Sequence, residues 1–330
     1  MRALTWFLRF TRLPAVLSMF VCIGPGLLPA QEKDAAAARV GAEPGGPPSL
    51  QSVLDAAVAM TLRTFTAKQL QTNQLAVTVV DLREPGRPAQ ASYRGDVQIY
   101  PASVVKLFYL VAAHRWMEDG KLEDTAELRR AMRDMIVESY NEATHYVVDL
   151  LTGTTSGPEL SDAELDAWFD KRNAVNRYFF SLGYTNINAN QKPWCEGPYG
   201  RESQSTRRHQ PSRNLLTTDA TARLLTEIVT EKAVTAPRCR QMMELLKRDP
   251  LKKPAENAEP DQGYDFTGPG LPPGARLWSK AGWTSQTRHD AACVELPDGR
   301  RVVIVTFTTG HANEREIIPT LAREIIRGLR

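Results

Sequence analysis

The chain has 330 residues, of which 42% are hydrophobic and 24% are charged. These fractions are those of a globular protein and exclude a chain that is mainly disordered. Its 41 Lys and Arg and 38 Asp and Glu residues give a net charge of +3, which leaves a nucleic-acid-binding surface without its usual electrostatic support. The excess comes from Arg2, Arg9 and Arg12, because residues 1–30 contain no acidic residue.

The first predicted element is an export signal over residues 1–30. A basic opening is followed by an apolar core over 13–23, and Gly24-Pro25-Gly26 ends any helix there. A membrane anchor is the alternative, but the apolar stretch is shorter than the ~20 residues that a span needs. Cleavage after Ala30 would release a periplasmic or secreted protein without a stable membrane anchor. Residues 31–48, rich in Ala, Gly and Pro, are predicted to be a flexible linker.

One domain is expected over 49–330, and its sheet lobe is predicted from two separate parts, residues 49–100 and 271–330. Apolar residues at helical spacing predict a helix over 50–70 behind Ser49 as a cap. A closing helix is predicted from Ile317, with Asn313 and Glu316 as a capping box. Alternating and β-branched patterns predict strands over 75–82, 90–94, 277–284, 288–296 and 300–309.

An all-helical lobe over residues 101–270 is predicted between these two parts. Apolar residues lie on every side of segment 104–112, which predicts a helix buried in the centre of the domain. Further helices are predicted over 126–138, 142–151, 163–182 and 218–230, with loops over 184–216 and 250–274. The expected fold is therefore α/β (α+β) and two-lobed. One antiparallel sheet from both termini is flanked by N- and C-terminal helices, with the helical lobe inserted.

The helical lobe opens with Ser103-Val104-Val105-Lys106, the only Ser-x-x-Lys in the chain. Residues three apart on a helix lie on one face, about 5–6 Å apart, so Lys106 can reach the Ser103 hydroxyl. A serine at a helix start also gains backbone N–H groups that suit a developing oxyanion. Alone, the pattern equally fits an ordinary helix-terminal serine and a lysine that extends from a core helix.

Two further motifs change that interpretation. Ser139-Tyr140-Asn141 lies between two helical segments, and Lys280-Ala281-Gly282 lies in the first of the three C-terminal strands. Ser-x-x-Lys, Ser-x-Asn and Lys-x-Gly in this order mark penicillin-recognising serine enzymes. Over residues 50–330 the sequence resembles the class A β-lactamase family. The resemblance implies a β-lactamase/transpeptidase-like fold and a serine hydrolase that opens β-lactam amides through an acyl-serine intermediate.

The resemblance also implies a role for each matching residue. Ser103 would attack the amide carbonyl with Lys106 as a candidate base, and the N–H groups of Ser103 and Trp283 would hold the oxyanion. Ser139, assisted by Lys280, would pass a proton to the leaving nitrogen. The substrate-binding residues would be Asn141 toward the side-chain amide, Gly282 where the ligand approaches the backbone, and Thr284, Ser285 and Arg288 toward the carboxylate.

The deacylating glutamate is left open. Counting back from Thr217-Thr218 points near Glu202, whereas the string Trp194-Cys195-Glu196 points to Glu196; a solvated loop carboxylate is the plainer interpretation of each. With a placed glutamate and water, the acyl-serine is hydrolysed and β-lactams are destroyed. Without them the protein resembles a D-alanyl-D-alanine carboxypeptidase or penicillin-binding protein acting on peptidoglycan peptides. A third alternative is a β-lactam- or peptidoglycan-binding module without turnover.

The expected partners are a small-molecule β-lactam or a D-alanyl peptide, with no nucleic acid, and the protein is expected to be a monomer. No Cys/His spacing resembles a zinc site, and the implied mechanism needs no metal or organic cofactor. Cys195, Cys239 and Cys293 follow the export signal; Cys195 and Cys239 allow one disulfide, and free thiols fit equally. His289-Asp290 resembles a dyad, but adjacent strand residues point to opposite faces.

Overall fold

The structure is a computed structural model that describes residues 48–194, 197–211, 213–255 and 260–329. Within it, Pro47–Arg330 forms one compact unit. The predicted export signal and all but the last residue of the predicted linker lie outside the described residues, and so do Cys195 and Glu196.

Six strands form one antiparallel sheet in the order β2-β1-β6-β5-β4-β3. Val, Ile and Thr dominate its centre because β-branched side chains pack well on a pleated surface. The five predicted strands are confirmed, while β3 is a two-residue addition at the edge. The strands are β1 Leu75–Asp81, β2 Ala89–Tyr93, β3 Lys247–Arg248, β4 Arg276–Trp283, β5 Thr287–Glu295 and β6 Arg301–Thr309.

Two helices cover one face of the sheet, as predicted. Helix α1 (Leu50–Thr64) begins at Ser49, whose side chain accepts a hydrogen bond from the backbone N–H of Ser52. Helix α10 (Ile317–Gly328) packs beside it. The predicted capping box at its start is wrong: Glu316 is the N-cap residue and its side chain makes no cap hydrogen bond.

The helical lobe packs on the other face, around a central helix that is buried on every side, as predicted. This helix, α2, follows a single 3₁₀ turn, Ala102–Val105, and its first nine residues are all buried. The helices of the lobe are α2 Lys106–Glu118, α3 Ala126–Arg133, α4 Asn141–Thr152, α5 Asp162–Arg172, α6 Ala174–Ser181, α7 Gly200–Arg208, α8 Thr218–Val229 and α9 Ala236–Leu246.

Three segments differ from the sequence prediction. The predicted helix over 50–70 ends at Thr64, and the one over 163–182 is divided into α5 and α6 at Asn173. Helix α7 lies within a segment that was predicted to be a loop. It was not predicted because its sequence has no apolar face, and only its residues Glu202 and Ser205 are buried. The helix is therefore held by polar contacts that hydrophobic periodicity cannot reveal.

None of the helices in the described part of the chain has the length and apolar character that crossing a bilayer requires. Cys239 and Cys293 are buried free thiols, and burial raises the pKa of Cys293 to about 12. Both therefore behave as small apolar core residues.

Candidate active site

Ser103 lies in the 3₁₀ turn that leads into α2. It is half-buried, whereas Lys106, three residues later, is completely buried. Ala102 has a left-handed backbone with φ of 47°, a conformation that costs a non-glycine residue about 1–3 kcal/mol. The continuous helical turn puts Ser103 and Lys106 on the same face of α2.

The Lys106 side chain links α2 to the turn that carries the second motif. Its Nζ donates to the Ser139 carbonyl oxygen at 2.6 Å and to Asn141 Oδ1 at 2.8 Å, and it lies 3.3 Å from Ser139 Oγ. The Ser-x-x-Lys and Ser-x-Asn motifs thus meet through one buried lysine nitrogen. The same contacts fix the orientation of Asn141 at the start of α4.

Ser139 follows a π-helical turn, Asp134–Glu138, and ends it with a left-handed backbone conformation, with φ of 61°. This strained backbone turns its hydroxyl toward β4, where Lys280 Nζ donates to Ser139 Oγ at 2.9 Å. Two ammonium groups from distant parts of the chain therefore converge on one hydroxyl. Such a hydroxyl is well placed to relay a proton.

Lys280 lies on β4 and is completely buried. Burial, Lys106 and Arg248 all lower its pKa well below the ordinary lysine value, and Asp290 opposes them. Its ammonium form is thus held only by its hydrogen-bond acceptors and one carboxylate. A lysine in this state is easily deprotonated and responds to small changes in its surroundings.

Gly282 brings β4 against the backbone of the Ser103 turn. A Cβ added here would lie 2.8 Å from the backbone nitrogen of Ser103 and 2.8 Å from the carbonyl oxygen of Pro101. Such distances are below van der Waals contact, so only glycine permits this approach. The third motif is thereby brought into direct contact with the first.

The sheet register also orients the neighbouring backbone N–H of Trp283. Thr284 donates from its backbone N–H to the Thr287 carbonyl at 2.9 Å, and Trp283 pairs with Arg288 as the next pair of the ladder. Because hydrogen-bonded and non-hydrogen-bonded pairs alternate, the Trp283 N–H points away from β5. It adjoins Gly282, and hence the Ser103 nitrogen, which is the arrangement that a two-donor oxyanion hole requires.

Gly282→Ala tests this backbone contact. The added methyl group must displace either β4 or the Ser103 turn, and misplacement by about 1 Å lowers rates about 10²-fold. The resemblance implies acylation by penicillin, and we expect the reaction with a fluorescent penicillin to slow by that factor in stopped-flow measurements. A lower melting temperature is also expected, because the clash involves backbone atoms. Gly86→Ala, whose Cβ meets no atom within 4 Å, is the matched control. Acylation by Gly282→Ala at the parent rate would contradict the proposed contact.

Thr284 and Ser285 are exposed at the end of β4, but the structure does not place Arg288 beside them as expected. Arg288 is 3% exposed and donates to the backbone carbonyl of Asp265 at 2.6 Å, with its guanidinium 4.1 Å from the Phe266 ring centroid. Burial lowers its pKa to about 10. Because it pairs with Trp283 and not with Gly282, its side chain leaves the face of the sheet opposite to Lys280.

His289 takes the position opposite Gly282 instead. Its Nε2 lies 2.9 Å from the Tyr100 carbonyl oxygen and its Nδ1 accepts from the Thr308 N–H at 3.1 Å. Burial lowers its pKa to about 4, so the ring is neutral. Asp290 accepts from Thr267 on the other face, and the two residues form no dyad, as expected.

Glu202 is not brought together with Ser103 and Lys106 by any described contact. It is 3% exposed on α7 and binds the Arg172 guanidinium through both carboxylate oxygens, at 2.7 and 3.0 Å. Ser156 donates to it at 2.9 Å, and Lys192 lies 3.6 Å away. The interpretation of Glu202 as a solvated loop carboxylate is therefore wrong. Glu202 belongs to a buried ion cluster with Arg172 and Lys192, and its pairing with Arg172 holds α7 against α5.

Glu196 lies outside the described residues, but the chain leading to it follows α4. The Pro193 carbonyl oxygen lies 2.6 Å from His145 Nε2, and the Trp194 ring centroid lies 4.5 Å from that of His145. His145 is one helical turn beyond Asn141, and it packs against Pro193 and Trp194. The described chain thus approaches Asn141 before position 195.

The family can now be assigned. A model described as "Beta-lactamase enzyme family" matches residues 122–329, more than half of the chain. The chain belongs to the β-lactamase enzyme family. This β-lactamase-like protein is therefore a hydrolase of the serine-enzyme class. The match begins after Ser103 and Lys106, so the placement of those two residues in the site rests on the geometry above.

Solved structures of this family share the fold at low sequence identity. A β-lactamase from Sphaerobacter thermophilus is 21% identical, with 83% of this chain and 96% of that chain covered and a TM-score of 0.57. A β-lactamase from Xanthomonas campestris is 15% identical (86% and 99% covered, TM-score 0.62). An acyl-enzyme complex of a PBP-A mutant with penicillin G is 17% identical (86% and 98% covered, TM-score 0.60). No curated protein matches this β-lactamase-like sequence.

One residue at this β-lactamase-like site was missed by sequence analysis. Gln262 lies in the predicted loop 250–274, yet its side chain is buried and bonded to Lys280. No local pattern marks it, because its partners are distant in sequence. Among the described residues, no group of three His, Cys, Asp or Glu side chains could hold a metal ion.

Proposed function

We propose that this protein is an exported serine hydrolase that opens β-lactam amides through an acyl intermediate on Ser103. The observation that carries the proposal is the convergence of Lys106 Nζ and Lys280 Nζ on Ser139 Oγ, at 3.3 and 2.9 Å. Gly282 holds this group against the backbone of Ser103. A nucleophile, a proton relay and oxyanion donors are thus available next to one another.

In the proposed acylation, Ser103 Oγ attacks the lactam carbonyl carbon and its proton passes to a base, for which Lys106 in its neutral amine form is the candidate. The carbonyl oxygen becomes an oxyanion that accepts from the N–H groups of Ser103 and Trp283. Each donor of this kind is worth about 3 kcal/mol of barrier. Collapse breaks the C–N bond, and Ser139 delivers its proton to the departing nitrogen. Lys106, whose Nζ lies 3.3 Å from Ser139 Oγ, then passes the proton taken from Ser103 to Ser139, so both groups return to their starting forms.

Lys280 has the supporting role in this step. Its ammonium donates to Ser139 Oγ, which favours release of the Ser139 proton toward the lactam nitrogen. Thr284 and Ser285, exposed at the end of β4, would offer hydroxyl groups to the substrate carboxylate, whereas Arg288 is buried against Asp265 and Phe266. Asn141 would orient the substrate's side-chain amide.

The second candidate function is that of a D-alanyl-D-alanine carboxypeptidase or penicillin-binding protein, with the same acylation but slow attack by water. The ion pairing of Glu202 favours it, because a carboxylate bound by Arg172 at two points cannot also activate water at Ser103 without losing that pair. Glu196 is then the remaining candidate for the deacylating base. Its role decides between the two functions.

Labelling with fluorescent penicillin separates the candidates. A label that appears and is lost as the lactam ring is consumed supports a β-lactamase. A persistent label, together with release of D-alanine from a D-Ala-D-Ala peptide, supports the peptidase, and a persistent label without release supports a binding module. Absence of labelling would refute acyl-serine chemistry with this substrate class.

Two glutamine variants identify the deacylating residue. For Glu196→Gln we expect acylation to proceed and the acyl-enzyme to persist, because the base that activates water is removed. For Glu202→Gln we expect a lower melting temperature with the parent's deacylation rate, because breaking a buried ion pair costs about 3–5 kcal/mol. The measurements are intact-protein mass spectrometry over time and thermal denaturation. A trapped acyl-enzyme in Glu202→Gln alone would reverse the assignment.

A further inference from the structure

Gln262 joins the two halves of the site through four hydrogen bonds. Its Oε1 accepts from Lys280 Nζ at 2.5 Å and from the Ala281 N–H at 3.2 Å. Its Nε2 donates to the carbonyl oxygens of Ile136 at 3.0 Å and Val137 at 2.8 Å. Since carbonyl oxygens accept only, they fix the amide so that its oxygen faces Lys280. All of its hydrogen-bonding capacity is used inside the protein.

The Lys280 ammonium has three N–H groups and three acceptors within reach. Besides Gln262 Oε1, these are Ser139 Oγ at 2.9 Å and the Ala281 carbonyl oxygen at 2.8 Å. Gln262 is the only side-chain amide among these three. Its loss would leave one N–H of a fully buried cation without its acceptor, which disfavours the charged form.

The charges around Lys280 come from three other elements. Lys106 on α2 and Arg248 on β3 disfavour its ammonium, Asp290 on β5 favours it, and burial disfavours it. Repulsion and burial together outweigh the single carboxylate, because the pKa of Lys280 is lowered well below its ordinary value. Under these conditions a neutral acceptor in direct contact has a large influence on the protonation state.

The other end of Gln262 controls the position of Ser139. Ile136 and Val137 belong to the π-helical turn that ends at Ser139, and the Ile136 carbonyl also accepts from Arg248 at 2.9 Å. This turn lies in the helical lobe, whereas Lys280 lies in the sheet. The amide therefore ties the element that presents the hydroxyl to the strand that presents the ammonium.

We propose that Gln262 is a positioning residue that keeps Lys280 in its ammonium form and at hydrogen-bonding distance from Ser139, and thereby sets the alkaline limit of acylation. The inference rests on the proposed function, in which Lys280 assists Ser139. It deepens that function by assigning control of the proton relay to a loop residue outside the three motifs.

Two variants that should shift the pH profile of acylation in opposite directions test the inference. Gln262→Met keeps the length of the side chain but removes the acceptor, so we expect the alkaline limb of the acylation pH profile to move to lower pH. A hydrogen bond to a charged group corresponds to about one to two pKa units. Gln262→Glu places a negative charge beside Lys280, and we expect its alkaline limb to move to higher pH.

A control variant separates this role from simple loss of an amide that is bonded at both ends. Gln204, which is half-buried on α7, also bonds at both ends of its amide, to the N–H and carbonyl groups of Leu160. We expect Gln204→Met to lower the melting temperature and leave the pH profile unchanged. Circular dichroism and thermal denaturation across the pH range establish that each variant is folded.

The protonation of Lys280 is also measured without any substrate, by NMR titration of ¹³Cε-labelled lysine with Lys280→Met to assign the signal. We expect a lower pKa in Gln262→Met and a higher one in Gln262→Glu than in the parent. Equal pKa values in all three proteins, or equal losses of acylation at every pH, would overturn the inference. If the parent fails to react with penicillin, the proposed function fails, and this titration still decides the role of Gln262.

Discussion

Ser103→Ala is expected to abolish covalent labelling by fluorescent penicillin while leaving the fold intact. The substitution removes the proposed nucleophile and keeps the backbone N–H that would hold the oxyanion. Loss of a serine nucleophile costs on the order of 10⁶ in turnover where it has been measured in other serine hydrolases. Ser103 is half-buried, so we expect a change in the free energy of unfolding within about 1 kcal/mol. Intact-protein mass spectrometry detects the adduct, and circular dichroism verifies the fold.

The control for this variant is Ser181→Ala. Ser181 is an exposed serine in the last turn of α6, whose hydroxyl bonds only to the Tyr178 carbonyl among the described contacts. We expect the Ser181→Ala variant to be labelled on Ser103 at the parent rate. If Ser103→Ala were labelled on another residue at that rate, the nucleophile would have to be sought elsewhere, and the convergence on Ser139 would lose its catalytic interpretation.

The fold was largely predictable because most of its elements carry a local pattern. The apolar residues on every side of α2 and the β-branched runs of β1 and β6 report burial directly. Helix α7 could not be predicted, since its stability depends on Glu202 meeting Arg172, thirty positions away. A contact between two charged residues leaves no periodicity in either segment.

The site likewise has residues that local motifs predict and residues whose placement depends on distant contacts. Ser103, Lys106, Ser139 and Lys280 lie in short motifs, and the structure brings these motifs together at Ser139 Oγ. Arg288 illustrates the limit of transferring a role along a strand by resemblance, because successive residues of a strand lie on opposite faces of the sheet. The turn between β4 and β5 decides that register, and the pairing of Gly282 with His289 became evident only from the sheet.

Lys106→Met is expected to slow acylation by about 10²–10⁴-fold, the contribution that a general base or acid typically makes. Methionine has similar length and suits the buried position, since Lys106 is 0% exposed. It cannot donate to the Ser139 carbonyl or to Asn141 Oδ1, so a lower melting temperature is also expected. Stopped-flow fluorescence with penicillin gives the acylation rate. Lys192→Met is the matched control, because Lys192 is a buried lysine of the Glu202 ion cluster and should lose stability without slowing acylation.

Lys106→Arg then separates charge from base catalysis. Arginine keeps a positive charge but cannot give up its proton at any pH that the protein survives. If Lys106 accepts the Ser103 proton, the arginine variant should acylate as slowly as Lys106→Met even though the ammonium's electrostatic effect is restored. If it acylates much faster than Lys106→Met, Lys106 acts as a fixed cation and the base must be another group. Glu196 would then be tested first, through the acylation rate of Glu196→Gln, because the deacylation experiment already requires that variant.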